Sequence, residues 1–233
     1  MTADDDPETP RAAESSSFVA AGRQLSTLWT PAPTPIAVCA LAHGAGAGMT
    51  HPFLDGVARG LAMSGISVLR FNFPYMEAGR RVPDGTAVTL GAWAAALEHA
   101  SQRASGLPVV AAGKSFGGRM ASVLAAKQGD EFPAKALVFL AYPLHAPGKP
   151  GQLRDAHLSK ISRPMLFIQG TRDALARLDL LEAVIQRLGP LARLHLVEGS
   201  DHSFHVARAK REDGEIGRAL AQVAAEFVRR SLA

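Results

Sequence analysis

Short apolar runs of strand length alternate along this chain with longer segments in which apolar residues recur at helical spacing. The runs are continuous, which is typical of strands that are buried on both faces of a parallel sheet. They predict strands over residues 36–42, 66–71, 108–112, 136–141, 164–169 and 192–197. The segments between them predict helices over residues 52–63, 89–105, 116–128, 174–188 and 213–231. This alternation indicates a three-layer α/β fold, with a mostly parallel sheet between two layers of helices.

The ends of the chain and the link after the fourth predicted strand indicate the domain organisation. Residues 1–17 are rich in acidic residues, Ser, Thr and Pro and lack apolar periodicity, so we predict a disordered acidic tail. Residues 18–29 have a mixed alternation, which indicates one or two antiparallel strands at the sheet edge. The link over residues 142–152 is too short for a large cap domain. We therefore predict a single domain over residues 18–233.

Composition and charge exclude several classes of protein. With 233 residues, of which 47% are hydrophobic and 20% charged, the chain has enough apolar material for a full core. Its net charge of +4 is spread thinly, and pairs such as Arg80-Arg81 do not form the basic stripe of a nucleic-acid-binding protein. The single cysteine, Cys39, cannot form an internal disulfide, and no apolar run approaches the roughly 20 residues that span a bilayer. We expect a cytoplasmic protein without a membrane span or a nucleic-acid partner.

The sequence Gly-Lys-Ser-Phe-Gly at residues 113–117 directly follows a predicted strand and opens a predicted helix. This strand-turn-helix context favours a nucleophile elbow, in which the Ser115 hydroxyl projects above the sheet. The turn needs small residues where strand and helix approach each other, which accounts for Gly113 and Gly117. The N–H of Phe116, at the helix N-terminus, points to where negative charge would develop on an attacked carbonyl.

Two rival motifs overlap the glycine-rich segments. Residues 113–115 end like a phosphate-binding P-loop, but the leading glycine of that motif would fall at Pro108, and a strand precedes the serine where a P-loop needs a loop. Residues 44–46 begin like a dinucleotide-binding fingerprint, but its third glycine would fall at Met49. We therefore expect no nucleotide and no other cofactor.

A glycine-rich loop over residues 41–48 follows the first predicted parallel strand. Glycines there let the backbone approach a substrate closely. An N–H from this turn, that of Ala45 or else of Gly46, would supply a second oxyanion donor beside the Phe116 N–H. The alternative is a flexible strand-to-helix turn without a catalytic role.

A serine hydroxyl needs a general base, and the base needs an acid that orients it. Asp173 follows the strand at 164–169, and His202 follows the next strand, so both are expected at the carboxyl edge of the sheet. Ser115, Asp173 and His202 also occur in the chain order of an α/β-hydrolase triad. The alternative for Asp173 is an N-cap of the following helix.

Other residues near His202 offer competing interpretations. His205 is the rival base, and Asp201, adjacent to His202, is interpreted as a residue that shapes the loop. These three side chains also suggest a metal site, but no His-Glu-x-x-His motif or cysteine pair completes a recognised one. We therefore predict no metal.

The stretch after the second predicted parallel strand is the expected substrate wall, because it leaves the same edge of the sheet. We predict that Phe73 and Tyr75 hold an acyl chain and that Arg80 or Arg81 pairs with an anionic group of the substrate. For the two arginines, the alternative is a solvated loop. Lys114 either biases the electric field beside the serine or points outward.

With these motifs the chain resembles the α/β-hydrolase superfamily, from about residue 36 to the final helix. It looks most similar to the small lidless branch of dienelactone-hydrolase-like proteins, to testis-expressed hydrolase-like proteins and to a subunit of the NSL histone-acetyltransferase complex. The segments that carry the resemblance are residues 42–46, 70–75, 113–119, 142–145, 170–173 and 201–204.

The resemblance implies a triad of Ser115, Asp173 and His202 with the oxyanion loop described above. Dienelactone hydrolases use a cysteine nucleophile, so their substrate is not transferred to a chain with Ser115. We expect hydrolysis of a small-molecule carboxylic ester or thioester through an acyl-enzyme. The alternative is a binding or scaffold protein that keeps the hydrolase fold without turnover.

Overall fold

In the described part of the chain, eight strands form one sheet at the centre of the fold, in the order β1-β2-β4-β3-β5-β6-β7-β8. The computed structural model describes residues 12–20 and 22–233. The strands are β1 (Glu14–Ala20), β2 (Arg23–Thr30), β3 (Ala37–Ala42), β4 (Ile66–Phe71), β5 (Val109–Lys114), β6 (Leu137–Leu140), β7 (Met165–Gly170) and β8 (Ala192–Val197). Strands β3 to β8 run parallel, whereas β1 and β2 pair antiparallel and continue the sheet beyond β4.

Helices cover both faces of this sheet. They are α1 (Pro52–Met63), α2 (Pro74–Glu77), α3 (Thr86–Ala104), α4 (Phe116–Gln128), α5 (Leu178–Leu188) and α6 (Asp213–Leu232). Alternate residues of β3 belong to different core clusters, because successive side chains of a strand point to opposite faces. Cys39 packs in the cluster with α1 and α6, whereas Val38 and Ala40 pack in the cluster with α3, α4 and α5. The predicted three-layer α/β architecture without a large cap domain is confirmed.

The N-terminal part of the described chain differs from the predicted tail. Residues 14–17, which we predicted to be disordered, form the first half of β1 and pair with β2. The Ser16 and Thr27 hydroxyls hydrogen-bond across the two strands, and the Arg103 guanidinium pairs with the Glu14 carboxylate. The segment is thus held by hydrogen bonds and an ion pair with other parts of the chain. The prediction of disorder considered only its low apolar content. The rest of the predicted tail, residues 1–11, lies outside the described residues.

Two further elements differ from the sequence pattern. Strand β8 was expected to be buried on both faces, but it lies at the edge of the sheet and only its first residue, Ala192, is fully buried. Helix α5 begins at Leu178 and not at residue 174, because the Asp173 carboxylate accepts a hydrogen bond from the Leu175 N–H and holds a turn there. Within the described residues, no helix has both the length and the apolar character needed to cross a membrane.

Candidate active site

The elbow after β5 holds Ser115 in a backbone conformation that residues other than glycine seldom adopt. Its φ and ψ angles are 48° and −114°, and it directly precedes α4. The flanking glycines are required by close packing. A Cβ on Gly113 would lie 2.3 Å from the Gly118 nitrogen, and one on Gly117 would lie 2.5 Å from the His43 carbonyl oxygen. At both positions, a side chain would therefore clash with the backbone of a neighbouring segment.

Three side chains that are far apart in sequence form a chain of hydrogen bonds at the carboxyl edge of the sheet. The His202 Nε2 atom lies 2.8 Å from the Ser115 Oγ, and its Nδ1 atom lies 2.7 Å from the Asp173 Oδ2. A carboxylate only accepts hydrogen bonds, so His202 Nδ1 carries the proton. The neutral ring then presents Nε2 as the acceptor for the serine hydroxyl.

The Asp173 carboxylate is fully buried and is held from two sides. The Gln169 side-chain amide donates to Oδ2, and the Leu175 backbone N–H donates to Oδ1 at 2.7 Å. Asp173 does not cap α5, whose N-cap is Arg177. Gln169 is a neighbour of the site that the sequence analysis missed, although its position at the end of β7 placed it near Asp173.

Hydrogen bonds connect the loop that carries His202 to neighbouring segments. The Arg172 N–H donates to the Ser200 carbonyl at 2.9 Å, and the Lys114 ammonium donates to the His202 carbonyl at 2.6 Å. The Asp201 carboxylate accepts from the backbone N–H groups of Ser203 and His205, so its predicted role in shaping the loop is confirmed. Lys114 thus points into the site and not outward.

The His43 ring contacts both the glycine-rich loop after β3 and the segment after β4. Its Nδ1 atom lies 2.8 Å from the Gly44 carbonyl oxygen, and its Nε2 atom accepts a hydrogen bond from the Phe73 N–H at 3.0 Å. Burial lowers the pKa of His43 to about 4, so the ring is neutral and Nδ1 is the donor to Gly44. His43 directly precedes the glycines in sequence, but no sequence pattern assigned it this role.

The backbone N–H groups of Ala45 and Phe116 lie on the two segments that meet at Ser115. A Cβ on Gly44 would lie 3.6 Å from the Ser115 Cβ, which shows how closely the loop approaches the elbow. Within residues 12–20 and 22–233, neither N–H donates a hydrogen bond to another protein group. Both are therefore available to a ligand.

A cavity of about 560 Å³ opens beside Ser115. Apolar and polar side chains both contribute to its wall. The lining residues are Gly44, Ala45, Gly46, Ala47, His51, Phe53, Leu54, Lys114, Ser115, Leu175, His202, Ser203, His205 and Asp213.

The four predicted substrate-binding residues lie elsewhere. Phe73 and Tyr75 are fully buried, and their rings pack against the ring of His43. Arg80 is exposed and pairs with the Asp84 carboxylate, and Arg81 is exposed in the same loop. The chain turns into the short helix α2 after β4, which directs the two aromatic rings into the core.

His202 and His205, the two candidate bases, have different partners in the structure. The His205 ring contacts the Asp213 carboxylate at 2.8 Å, whereas the His202 ring contacts Ser115. In the part of the chain that the structure describes, no group of three or more His, Cys, Asp or Glu side chains is placed to hold a metal ion.

A second serine–histidine contact lies in the interior of the molecule. The Ser122 Oγ lies 2.8 Å from the His157 Nε2, but this serine is fully buried in α4 and its hydroxyl donates to the Arg119 carbonyl. The hydroxyl proton is therefore directed away from the imidazole. Neither side chain contributes to the wall of the Ser115 cavity.

Comparison with known proteins agrees with this architecture. The sequence matches the family described as Alpha/beta hydrolase domain over residues 35–230. This chain belongs to the α/β-hydrolase family. The α/β-hydrolase fold is shared at 21% identity with a dienelactone hydrolase from Anabaena variabilis, with a TM-score of 0.76 over 95% of this chain and 98% of that one.

Two further solved structures share this α/β-hydrolase fold. One is an α/β serine hydrolase without a lid from Xanthomonas campestris, at 21% identity and a TM-score of 0.73 over 95% of each chain. The other is an α/β serine hydrolase homologue from Coxiella burnetii, at 19% identity and a TM-score of 0.72 over 96% of this chain and 99% of that one. These neighbours share the fold that the family match indicates.

Proposed function

We propose that this chain is a serine hydrolase that cleaves carboxylic esters or thioesters through an acyl-enzyme. The observation that carries the proposal is the continuous chain of hydrogen bonds from Ser115 through His202 to the buried Asp173. Its serine end lies in the wall of a cavity large enough for a small-molecule ester.

The proposed first step forms a covalent bond between enzyme and substrate. As the Ser115 Oγ attacks the carbonyl carbon, His202 Nε2 takes the hydroxyl proton, and the Asp173 carboxylate stabilises the resulting imidazolium. The tetrahedral intermediate then collapses. His202 gives its proton to the departing alkoxide or thiolate, and the acyl group stays on Ser115.

The second step returns the enzyme to its starting state. A water molecule gives a proton to His202 Nε2 and attacks the acyl carbon, and collapse of this second intermediate releases the carboxylic acid and the Ser115 hydroxyl. In both steps the negative charge on the carbonyl oxygen would be held by the N–H groups of Ala45 and Phe116. Their lack of partners among the described protein groups and the position of Phe116 at the start of α4 support this assignment.

Labelling with a fluorophosphonate probe tests the proposal. We expect covalent labelling of the wild type at Ser115, and no labelling after Ser115→Ala or His202→Ala. Ser122→Ala is the matched control, since it removes the buried hydroxyl of the other serine–histidine pair, and it should still be labelled. With p-nitrophenyl acetate, Ser115→Ala should lower kcat at least about a thousandfold.

The opposite result would favour a different function. If the folded wild type neither reacts with the probe nor hydrolyses nitrophenyl esters, the chain is a scaffold that retains the fold. The narrower similarity to testis-expressed hydrolase-like proteins and the NSL subunit is part of the proposal and rests on the segments given above. The cytoplasmic location and the lack of a nucleic-acid partner also stay predictions from sequence.

A further inference from the structure

A second polar cluster lies in the wall of the Ser115 cavity. It consists of His51, which precedes α1, His205, in the loop after β8, and Asp213, the first residue of α6. The His205 Nε2 lies 2.8 Å from the Asp213 Oδ1, and the His51 Nε2 lies 3.9 Å from the Asp213 Oδ2. The proposed hydrolysis steps use none of these three side chains.

Their hydrogen bonds determine which atoms of a ligand the cluster can bind. The His51 Nδ1 accepts from the Phe53 N–H, so the neutral ring carries its proton on Nε2 and offers a donor. The His205 Nε2 donates to the Asp213 carboxylate, and in the neutral form of the ring Nδ1 is an acceptor. The carboxylate keeps further lone pairs, and its side chain is 29% exposed. The cluster therefore offers both donors and acceptors.

This combination selects among the chemical groups of a substrate. An alkyl chain would cover the Asp213 carboxylate without a hydrogen bond, which is costly, and an anionic group would be repelled by it. A cationic group would meet the Lys114 ammonium in the wall of the same cavity. Hydroxyl groups both donate and accept, so they match the cluster.

The rest of the cavity also suits a polyhydroxylated group. Its volume of about 560 Å³ exceeds what a short acyl chain requires. Ala45, Ala47 and Leu175 give its wall an accessible apolar part, against which the C–H face of a sugar ring can pack. Phe53 and Leu54 also line the cavity but are almost fully buried and contribute little surface. The wall thus combines an apolar surface with polar groups, as ligand sites commonly do.

We propose that His51, Asp213 and His205 form a hydroxyl-binding subsite, and that the substrates are esters of a sugar or another polyol. This inference rests on the proposed hydrolase function. The hydroxyl groups bind to the cluster while the ester carbonyl lies at Ser115. The subsite contributes to substrate choice and not to the bond-breaking steps.

A matched pair of primary acetate esters tests the subsite. Methyl 6-O-acetyl-α-D-glucopyranoside and cyclohexylmethyl acetate both carry a six-membered ring, but only the first has ring hydroxyls. We expect the wild type to hydrolyse the glucoside ester with a kcat/KM at least about tenfold higher. Asp213→Asn should reduce this ratio about tenfold, and His205→Leu, which leaves the start of α6 intact, should reduce it as well.

Glu215→Gln is the matched control, because it also removes an acid from the first turn of α6 and Glu215 lies outside the cavity wall. It should leave the ratio and both rates unchanged. Equal kcat/KM for the two esters in the wild type, or equal losses for both in Asp213→Asn and His205→Leu, would overturn the subsite while leaving the hydrolase proposal intact. If the wild type hydrolyses neither ester and Ser115 is not labelled by the fluorophosphonate, the hydrolase proposal itself fails.

Discussion

The Lys114 ammonium donates a hydrogen bond of 2.6 Å to the backbone carbonyl oxygen of His202. The residue before the proposed nucleophile therefore holds the loop that carries the proposed base. Because Ser115 directly follows Lys114, this bond links the segment that carries the serine to the loop that carries the histidine. A bond with a charged donor is stronger than a neutral one, so it restrains the position of the imidazole.

We expect Lys114→Met to lower kcat about tenfold with little change in KM, because the His202 loop loses its charged partner and the imidazole its fixed position. Lys127→Met is the control. Lys127 lies in α4, the helix that follows the elbow, and it is exposed and does not line the cavity. Steady-state kinetics with p-nitrophenyl acetate measure both constants. A rise in KM at unchanged kcat would assign Lys114 to substrate binding instead.

The pH dependence of activity follows from the same lysine. Burial lowers the pKa of Lys114 to about 8, although the carboxylates of Asp173, Asp201 and Asp213 act in the opposite direction. The ammonium is thus present below pH 8 and is lost as the pH rises through this value. We expect kcat to fall above about pH 8 in the wild type, and this fall to move to higher pH in Lys114→Arg, because arginine stays charged. A pH profile with an identical alkaline limb in both proteins would contradict the assignment.

Stability in acid should depend on His43. Burial lowers its pKa to about 4 in the folded chain, against 6.5 for the free group, so the unfolded chain binds more protons between these values. The free energy of unfolding should therefore fall as the pH drops from 6.5 to 4, by an amount of the order of 3 kcal/mol, since each pKa unit corresponds to about 1.4 kcal/mol.

Urea denaturation at several pH values measures this contribution. The variant His43→Asn has no titrating ring, so its free energy of unfolding should change less over the same range. Burial also lowers the pKa of His99 and His157, and these residues are present in both proteins, so the difference between them isolates His43. Parallel pH curves would show that His43 is not the residue responsible.

Gly117 should not tolerate even a methyl group. In Gly117→Ala the new Cβ would lie 2.5 Å from the His43 carbonyl oxygen, a backbone atom that moves only with the loop after β3. We expect a loss of about 2 kcal/mol in the free energy of unfolding, and a fall in kcat of more than tenfold.

The matched control for this variant is Gly91→Ala. Gly91 is also a helical glycine, but a Cβ there meets nothing within 4 Å. Alanine should stabilise α3 at this position by about 0.5 to 1 kcal/mol. Thermal and urea denaturation of both variants compare the two sites, and similar stabilities would contradict the close approach at the elbow.

The candidate site illustrates how far sequence reasoning extends. Parallel strands end at one edge of a sheet, so residues that follow different strands are brought together by topology alone. For this reason the sequence predicts Ser115, Asp173 and His202 at a common edge, and the structure does bring these three side chains together. The direction in which Phe73 and Tyr75 point depends on the turn into α2, which no local pattern signalled.

The pattern of residues was enough to predict the layers of the fold, because continuous apolar runs and helical spacing reflect burial, which is a local property of each segment. It also determined the elbow, since glycines at residues 113 and 117 are a steric need of the turn. No sequence pattern indicated that Lys114 contacts the His202 loop or that His51 and His205 both lie beside Asp213, and these contacts were found in the folded chain. The physical reason is that the orientation of a loop side chain depends on contacts with segments far away in the chain.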